Sequence, residues 1–238
     1  MRYSAPVFRL KRRARLLSRS ASIPLHRALD QVARAEGAGS WSALTARLAA
    51  DRPAPRIIGL LRPGDLLLLA ARPGQGKTML ALELLLEVAK RGQATCFFTL
   101  DWSAPEARAR LMSLCRDGED IPDGVRIDAS DGICADHVIS RMRDANPGSL
   151  AIIDYMQLLD QDRRKPEIAV QIEALRSFAA RTGVIFVLLS QIDRSWDAAS
   201  KPLPDLTDVR LPNPVPFSAF ARACFLHDGE IRLDVASA

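Results

Sequence analysis

The run Ala71-Arg72-Pro73-Gly74-Gln75-Gly76-Lys77-Thr78 places two glycines, a lysine and a hydroxyl in the order that phosphate chemistry needs. Gly74 and Gly76 let backbone N–H groups curl around phosphate oxygens with no Cβ in the way. Lys77 has the reach for β- and γ-phosphates, and the Thr78 hydroxyl suits Mg²⁺. An apolar run, Leu66 to Ala70, precedes the loop, and an apolar-periodic stretch opens at Met79 behind it. Strand, loop and helix in that order add the anion preference of a helix N-terminus. Arg72, Pro73, Gly74, Gln75, Gly76, Lys77 and Thr78 are therefore the candidate phosphate-binding set, for ATP with Mg²⁺. Ala71 stands where the G-x-x-x-x-G-K-[ST] pattern has its first glycine, a departure of one methyl group.

Three more side chains close apolar runs, at the strand ends where α/β sheets bind ligands. Asp154 follows Leu150-Ala151-Ile152-Ile153. An acid there can hold Mg²⁺ directly or through water, or simply cap the strand. Asp101 follows Thr95 to Leu100 and can orient or deprotonate an attacking water. Its bland alternative is a cap or turn before a helix starting near Pro105-Glu106. Gln191 closes Val184 to Ser190, with Arg194 just beyond. An amide at that height can sense a γ-phosphate and relay its loss to the next loop. The candidate catalytic set is Lys77, Asp101, Asp154 and Gln191; the candidate metal ligands are Thr78 and Asp154.

The elements that must position these residues alternate β and α from Ile57 onward, the pattern of a parallel sheet with covering helices. Strands are predicted at about 65–70, 95–100, 125–128, 150–154 and 184–190, and helices at about 77–91, 104–116, 134–145 and 166–181. Continuous apolar runs such as Val184 to Leu189 suit strands buried on both faces. A terminal hairpin pairs Ala223–Leu226 with Ile231–Leu233 around Asp228-Gly229. The chain thus reads as an α/β domain at 57–238, a Pro-rich linker at 51–56 and a helical module at 1–50. That module is predicted as three helices, at 7–19, 22–37 and 40–50.

Charge is uneven between these parts. Residues 1–50 carry ten Lys/Arg against Asp30 and Glu36, a net +8, while the remainder nets −3, giving +5 for the chain. Such asymmetry points to a polyanion, with a solvated basic helix as the bland alternative. A transit peptide is a third reading of the Arg- and Ser-containing, acid-free residues 1–29, but patterned helices follow them without a break. At 48% hydrophobic and 26% charged the composition is that of a globular domain, and no apolar run approaches the roughly 20 residues of a membrane span. Cys96, Cys115, Cys134 and Cys224 lack C-x-x-C spacing and read as reduced thiols of a cytosolic protein.

Four segments in order resemble the RecA-like ATPase domain of DnaB-type replicative helicases. Gly64 to Thr78 resembles that family's P-loop region. Phe98-Thr99-Leu100-Asp101-Trp102-Ser103 resembles its Ser-Leu-Glu-Met-Ser string, Ile152-Ile153-Asp154-Tyr155-Met156-Gln157-Leu158-Leu159 its Walker-B string, and Leu189-Ser190-Gln191-Ile192-Asp193-Arg194-Ser195 its Leu-Ser-Gln-Leu-Asn-Arg-Ser. The resemblance implies a RecA-like fold, ATP and Mg²⁺ as ligands, and 5′–3′ helicase or translocase activity. It also implies DNA, single-stranded, as partner, a homo-oligomer such as a hexamer, and a bacterial cytoplasmic setting. By the same resemblance Asp101 occupies the catalytic glutamate's place and Gln191 that of the sensor. Departures accompany it. Asp101 is one methylene shorter than glutamate. Asp208-Val209-Arg210 matches an Asp-Leu-Arg string, but Val215-Pro216-Phe217-Ser218-Ala219-Phe220 replaces the polar stretch expected next. The sequence stops at Ala238, about where the family's trans-acting Lys-x-Arg finger is expected. Residues 1–50 do not resemble the family's N-terminal domain; Gly39-Ser40-Trp41-Ser42-Ala43-Leu44 is an offset match to small helical modules ending Gly-x-x-x-Trp-x-x-Leu. Two functions follow: an ATP-driven DNA motor, or a nucleotide-binding regulatory adaptor that no longer unwinds DNA.

Overall fold

A computed structural model describes residues 7–50, 53–115, 118–156, 159, 166–210 and 213–236. The chain divides into two units, Met1–Pro53 and Ala54–Ala238.

In the first unit, α1 (Val7–Ser20), α2 (Leu25–Ala35) and α3 (Trp41–Ala50) enclose a small core. Leu10, Ala14, Ala28, Val32, Ala33, Ala38 and Leu44 are its buried members. One of the segment's two acids serves the fold, since Asp30 Oδ1 accepts the Trp41 N–H at 2.8 Å and the Ser40 hydroxyl accepts that of Ala43 at 3.1 Å. Both satisfy orphan donors in the first turn of α3. Arg12, Arg13, Arg15 and Arg19 of α1 stay exposed.

The second unit is a seven-stranded sheet in the order β3-β2-β4-β5-β1-β6-β7. The strands are β1 (Leu66–Ala71), β2 (Thr95–Thr99), β3 (Val125–Asp128), β4 (Leu150–Asp154), β5 (Ile185–Gln191), β6 (Arg222–His227) and β7 (Glu230–Val235). All neighbours are parallel except the β6–β7 hairpin. Its turn has positive φ at both Asp228 (46°) and Gly229 (80°), the backbone that a two-residue hairpin turn matched to strand twist requires.

Side-chain alternation along β1 builds two cores from one run. Leu66, Leu68 and Ala70 join one apolar layer with α7 (Ala135–Met142) and α8 (Ile168–Thr182). Leu67, Leu69 and Ala71 join the other with α5 (Lys77–Ala89) and α6 (Ala104–Leu114). Each of those leucines is at most 1% exposed, so each contributes about 1.5–3 kcal/mol of transfer free energy. The predicted strands and helices are all present, with no end shifted by more than three residues.

The linker expectation needs correction. Asp51 and Arg52 lie outside the described residues, but Pro53–Gly59 forms a helix, α4. Pro53 opens it, where a missing N–H costs nothing. Ala54, Ile57 and Ile58 are buried in the same layer as α5, which draws this segment into the second unit's core despite its two prolines.

Candidate active site

The strand order does the first part of the positioning. β5 lies between β1 and β4, so the ends of the phosphate loop's strand, the Gln191 strand and the Asp154 strand stand side by side. Register aligns them: Ala71 is opposite Gln191, and Thr99 is opposite Asp154 one strand further on. Neighbouring strands are about 4.8 Å apart, so the residues leaving these ends share one crevice.

Gly74 (φ 79°) and Gly76 (φ 88°) both occupy the left-handed region that only glycine enters freely. A Cβ added at either would meet no other protein atom within 4 Å, so the backbone conformation and not crowding is what calls for glycine there. Gly76 is also the N-cap of α5, which aims the helix's first N–H groups at the loop's concavity.

At its floor, Lys77 Nζ stands 3.3 Å from Asp154 Oδ1 and 3.4 Å from Thr78 Oγ1. Asp154 is 1% exposed, and its Oδ2 is buried with no hydrogen-bond partner. Burial pushes its carboxyl above the ordinary carboxylate range; the Lys77 charge and the Thr78 hydroxyl pull it back, and Asp101 adds a smaller upward push. A buried, half-satisfied carboxylate beside a hydroxyl suits a divalent cation's hard oxygen preference. The residues present thus fit a divalent metal, which Thr78 and Asp154 could hold. Among the described residues no group of three or more His, Cys, Asp or Glu could hold a metal ion.

Asp101 is exposed just beyond β2, with its N–H donating to Thr99 Oγ1 at 3.1 Å. It does not cap α6. That task belongs to Ser103 and Glu106, whose Oε2 accepts the Ser103 N–H at 2.9 Å and its hydroxyl at 2.7 Å. Its electrostatic effect on Asp154 places Asp101 within influence of the same crevice. Gln191 ends β5, and its carbonyl accepts the Arg210 N–H at 2.8 Å. Gln157 and Leu158 of the Walker-B string lie outside the described residues.

The sequence places Arg72 and Gln75 in the phosphate loop but does not show the partners their side chains take. Arg72 donates to the Arg194 carbonyl and lies over the Trp196 ring, 5.7 Å from its centroid. Gln75 Oε1 accepts the Asp228 N–H at 2.9 Å, joining the phosphate loop to the hairpin turn. A cleft of about 360 Å³ opens there, lined by Arg72, Pro73, Gln75, Gln191, Arg194 and Arg210 with Ile192. Strand-end position and the resemblance single out Gln191 and Arg194, but nothing in the spacing ties that segment to Arg72.

Fold and site together define a P-loop nucleotide-binding protein of the RecA-like type, with the glutamine-bearing strand inserted between the P-loop and Walker-B strands. A family model described as "AAA domain" matches residues 34–198, and the chain belongs to that family. Within it the chain is a divergent DnaB-like member. It is 30% identical over 184 residues to the replicative DNA helicase DnaB of Pasteurella multocida, covering 63% of this chain and 39% of that protein. It is 29% identical over 181 residues to the DnaB of Leifsonia xyli, covering 63% of this chain and 40% of that protein. The chain spans about 40% of the length of these curated relatives. A solved DnaB-like replicative helicase, described with its interactions with primase, shares the fold. Its TM-score is 0.60 at 16% identity, over 97% of this chain and 72% of that one. Among the described residues no helix is long and apolar enough to cross a membrane.

Proposed function

We propose that this chain is an ATP-hydrolysing, DnaB-like motor that acts on single-stranded DNA in the bacterial cytoplasm, as a homo-oligomer of hexameric type. The observation that carries the reading is the convergence of Lys77, Thr78 and buried Asp154 under a glycine loop. Relatives named as replicative DNA helicases support the DNA partner.

In this reading the loop N–H groups and Lys77 bind and orient the phosphates, and Lys77 exchanges its Asp154 contact for them. Mg²⁺ bound with ATP neutralises charge building on the phosphate oxygens. Thr78 and Asp154 hold the ion's position. Asp101 orients the attacking water and takes its proton. Gln191 reports the γ-phosphate to the segment after β5. The basic α1 attracts the DNA backbone, and residues 1–50 work as a separate module.

A second reading, a nucleotide-binding adaptor without unwinding activity, is favoured by Asp101 alone, whose side chain is shorter than glutamate and exposed. Phosphate release from the wild type and Lys77→Ala, with and without single-stranded DNA, tests both. The motor reading expects several-fold stimulation by DNA, and turnover and tight ATP binding abolished in the variant. Turnover indifferent to DNA selects the adaptor. Unchanged affinity and turnover in Lys77→Ala remove the nucleotide site itself.

A further inference from the structure

The segment after β5 is fastened at nearly every residue. Ile192 is 2% exposed and pairs with Val209. The Asp193 N–H donates to the Asp208 carbonyl at 2.7 Å. The Asp193 carboxylate accepts the Ser195 N–H at 2.9 Å, and Arg210 and Arg72 add electrostatic support to it. Trp196 is 5% exposed, packed edge-on against His227 at 4.7 Å and covered by Arg72. The Arg194 carbonyl is held by Arg72.

One group in this segment is left over. The Arg194 side chain is exposed, and among the described residues its guanidinium has no hydrogen-bond, ion-pair or ring partner. It lines the cleft that Pro73 and Gln75 of the phosphate loop and Gln191 also line. That cleft's lining includes three arginines and no carboxylate. A cation held on a rigid backbone before its ligand arrives avoids reorganisation at the moment of reaction, which is how electrostatic catalysis works. Phosphoryl transfer spreads negative charge over the γ-phosphate oxygens, and arginine's planar fork matches them.

We propose that Arg194 is a catalytic residue acting in cis: from the cleft beside Gln191 it contacts the γ-phosphoryl group of ATP bound to the same chain and stabilises the charge of its transfer to water. The γ-phosphorus–oxygen bond to ADP breaks, a bond to the attacking water's oxygen forms, and the water's proton leaves to Asp101 or solvent. Arg194 stays protonated throughout and exchanges no proton. The proposal rests on the ATPase reading above and adds a residue to it.

The test is Arg194→Ala, with Arg194→Lys beside it, in the full chain. A transition-state contact predicts a fall in kcat of about a thousandfold, the low side of what such arginines supply. Affinity for the slowly hydrolysed analogue ATPγS should stay within about threefold, and the trapped complex with ADP and aluminium fluoride should be lost. Lysine should restore turnover only in part, because a point charge lacks the fork. Mixing Arg194→Ala with Lys77→Ala chains should restore nothing, since each nucleotide needs both residues in one chain. Four results overturn the proposal: kcat within twofold of wild type with the trapped complex intact; ATPγS affinity reduced in proportion to kcat; recovery of turnover in the mixture, which would make the arginine trans-acting; or loss of single-stranded DNA affinity alone, which would make it a nucleic-acid-binding residue. Failure of the ATPase reading looks different. The wild type would then bind no ATPγS or hydrolyse no ATP, and this proposal would fall with it.

Discussion

Replacing Asp154 by asparagine removes one charge and almost no volume, so it separates chemistry from packing at the crevice floor. Asp154 Oδ1 is 3.3 Å from Lys77 Nζ, and at an effective dielectric near 20 that attraction is on the order of 5 kcal/mol. Against it stands the desolvation of a carboxylate that is 1% exposed with one oxygen unpartnered, a cost of several kcal/mol. The two nearly cancel, as the raised carboxyl already shows: burial outweighs the help of Lys77 and Thr78. Asp154→Asn should therefore change stability by no more than about 2 kcal/mol, the scale of a typical single substitution. Catalysis has no such offset. A metal's charge stabilisation is worth several kcal/mol, and each 1.36 kcal/mol is about tenfold, so turnover should fall on the order of a hundredfold or more. Urea unfolding gives the first number, and steady-state phosphate release across a Mg²⁺ titration gives the second. An unfolded variant, or one destabilised by about 4 kcal/mol or more with normal turnover per folded molecule, refutes the argument and leaves Asp154 as a strand cap.

Asp101→Glu should raise ATPase activity by restoring the longer reach, and Asp101→Ala should lower it by about 10² to 10⁴-fold; an Ala variant within twofold of wild type removes Asp101 from the chemistry. Changing Arg12, Arg13 and Arg15 together to glutamine should weaken single-stranded DNA binding and flatten its log–log salt slope by about 0.7 for each phosphate no longer neutralised, measured by fluorescence anisotropy. An identical slope would place α1 against solvent or protein. Asp128 lies at the end of β3; burial alone would raise its carboxyl, but Ser130 and His137 hydrogen bonds hold it down at about 2. A depressed carboxyl stabilises the fold above its unfolded value of 3.8 and loses that contribution as pH falls toward 2. Asp128→Asn should thus cost about 2 kcal/mol near neutrality, a gap that closes between about pH 4 and 2 in urea titrations.

The strands were legible because a sheet buried on both faces demands unbroken apolar runs, and Leu150–Ile153 and Val184–Leu189 supply them. The phosphate loop was legible because few other structures need glycine, glycine, lysine and threonine at that spacing. Strand order was not legible, since β5 enters between β1 and β4 through pairing that no local pattern records. Nor was α4, because two prolines in a short stretch look like a linker until Ala54, Ile57 and Ile58 find a core. The Asp128 cluster was invisible for a similar reason. His137 and Arg141 share one helix face and reach Asp128 Oδ2 at 2.9 Å each, but only the fold brings β3 to that face. Ser130 and Asp128 both approach the same nitrogen of His137, so the group is an ion cluster and not a nucleophile with its base.

The positions a phosphate-loop pattern leaves blank are usually treated as free to drift. Two of them here are not. Arg72 is committed to the Arg194 carbonyl and the Trp196 ring, and Gln75 to the backbone of Asp228, 153 residues away. Grafting a generic loop sequence onto this chain would therefore keep Gly74, Gly76, Lys77 and Thr78 and still detach two distant segments from the loop. The motif's fixed letters say which superfamily a chain comes from. Its variable letters, in this protein, record which partners the loop has acquired, and they constrain how far those partners can change independently.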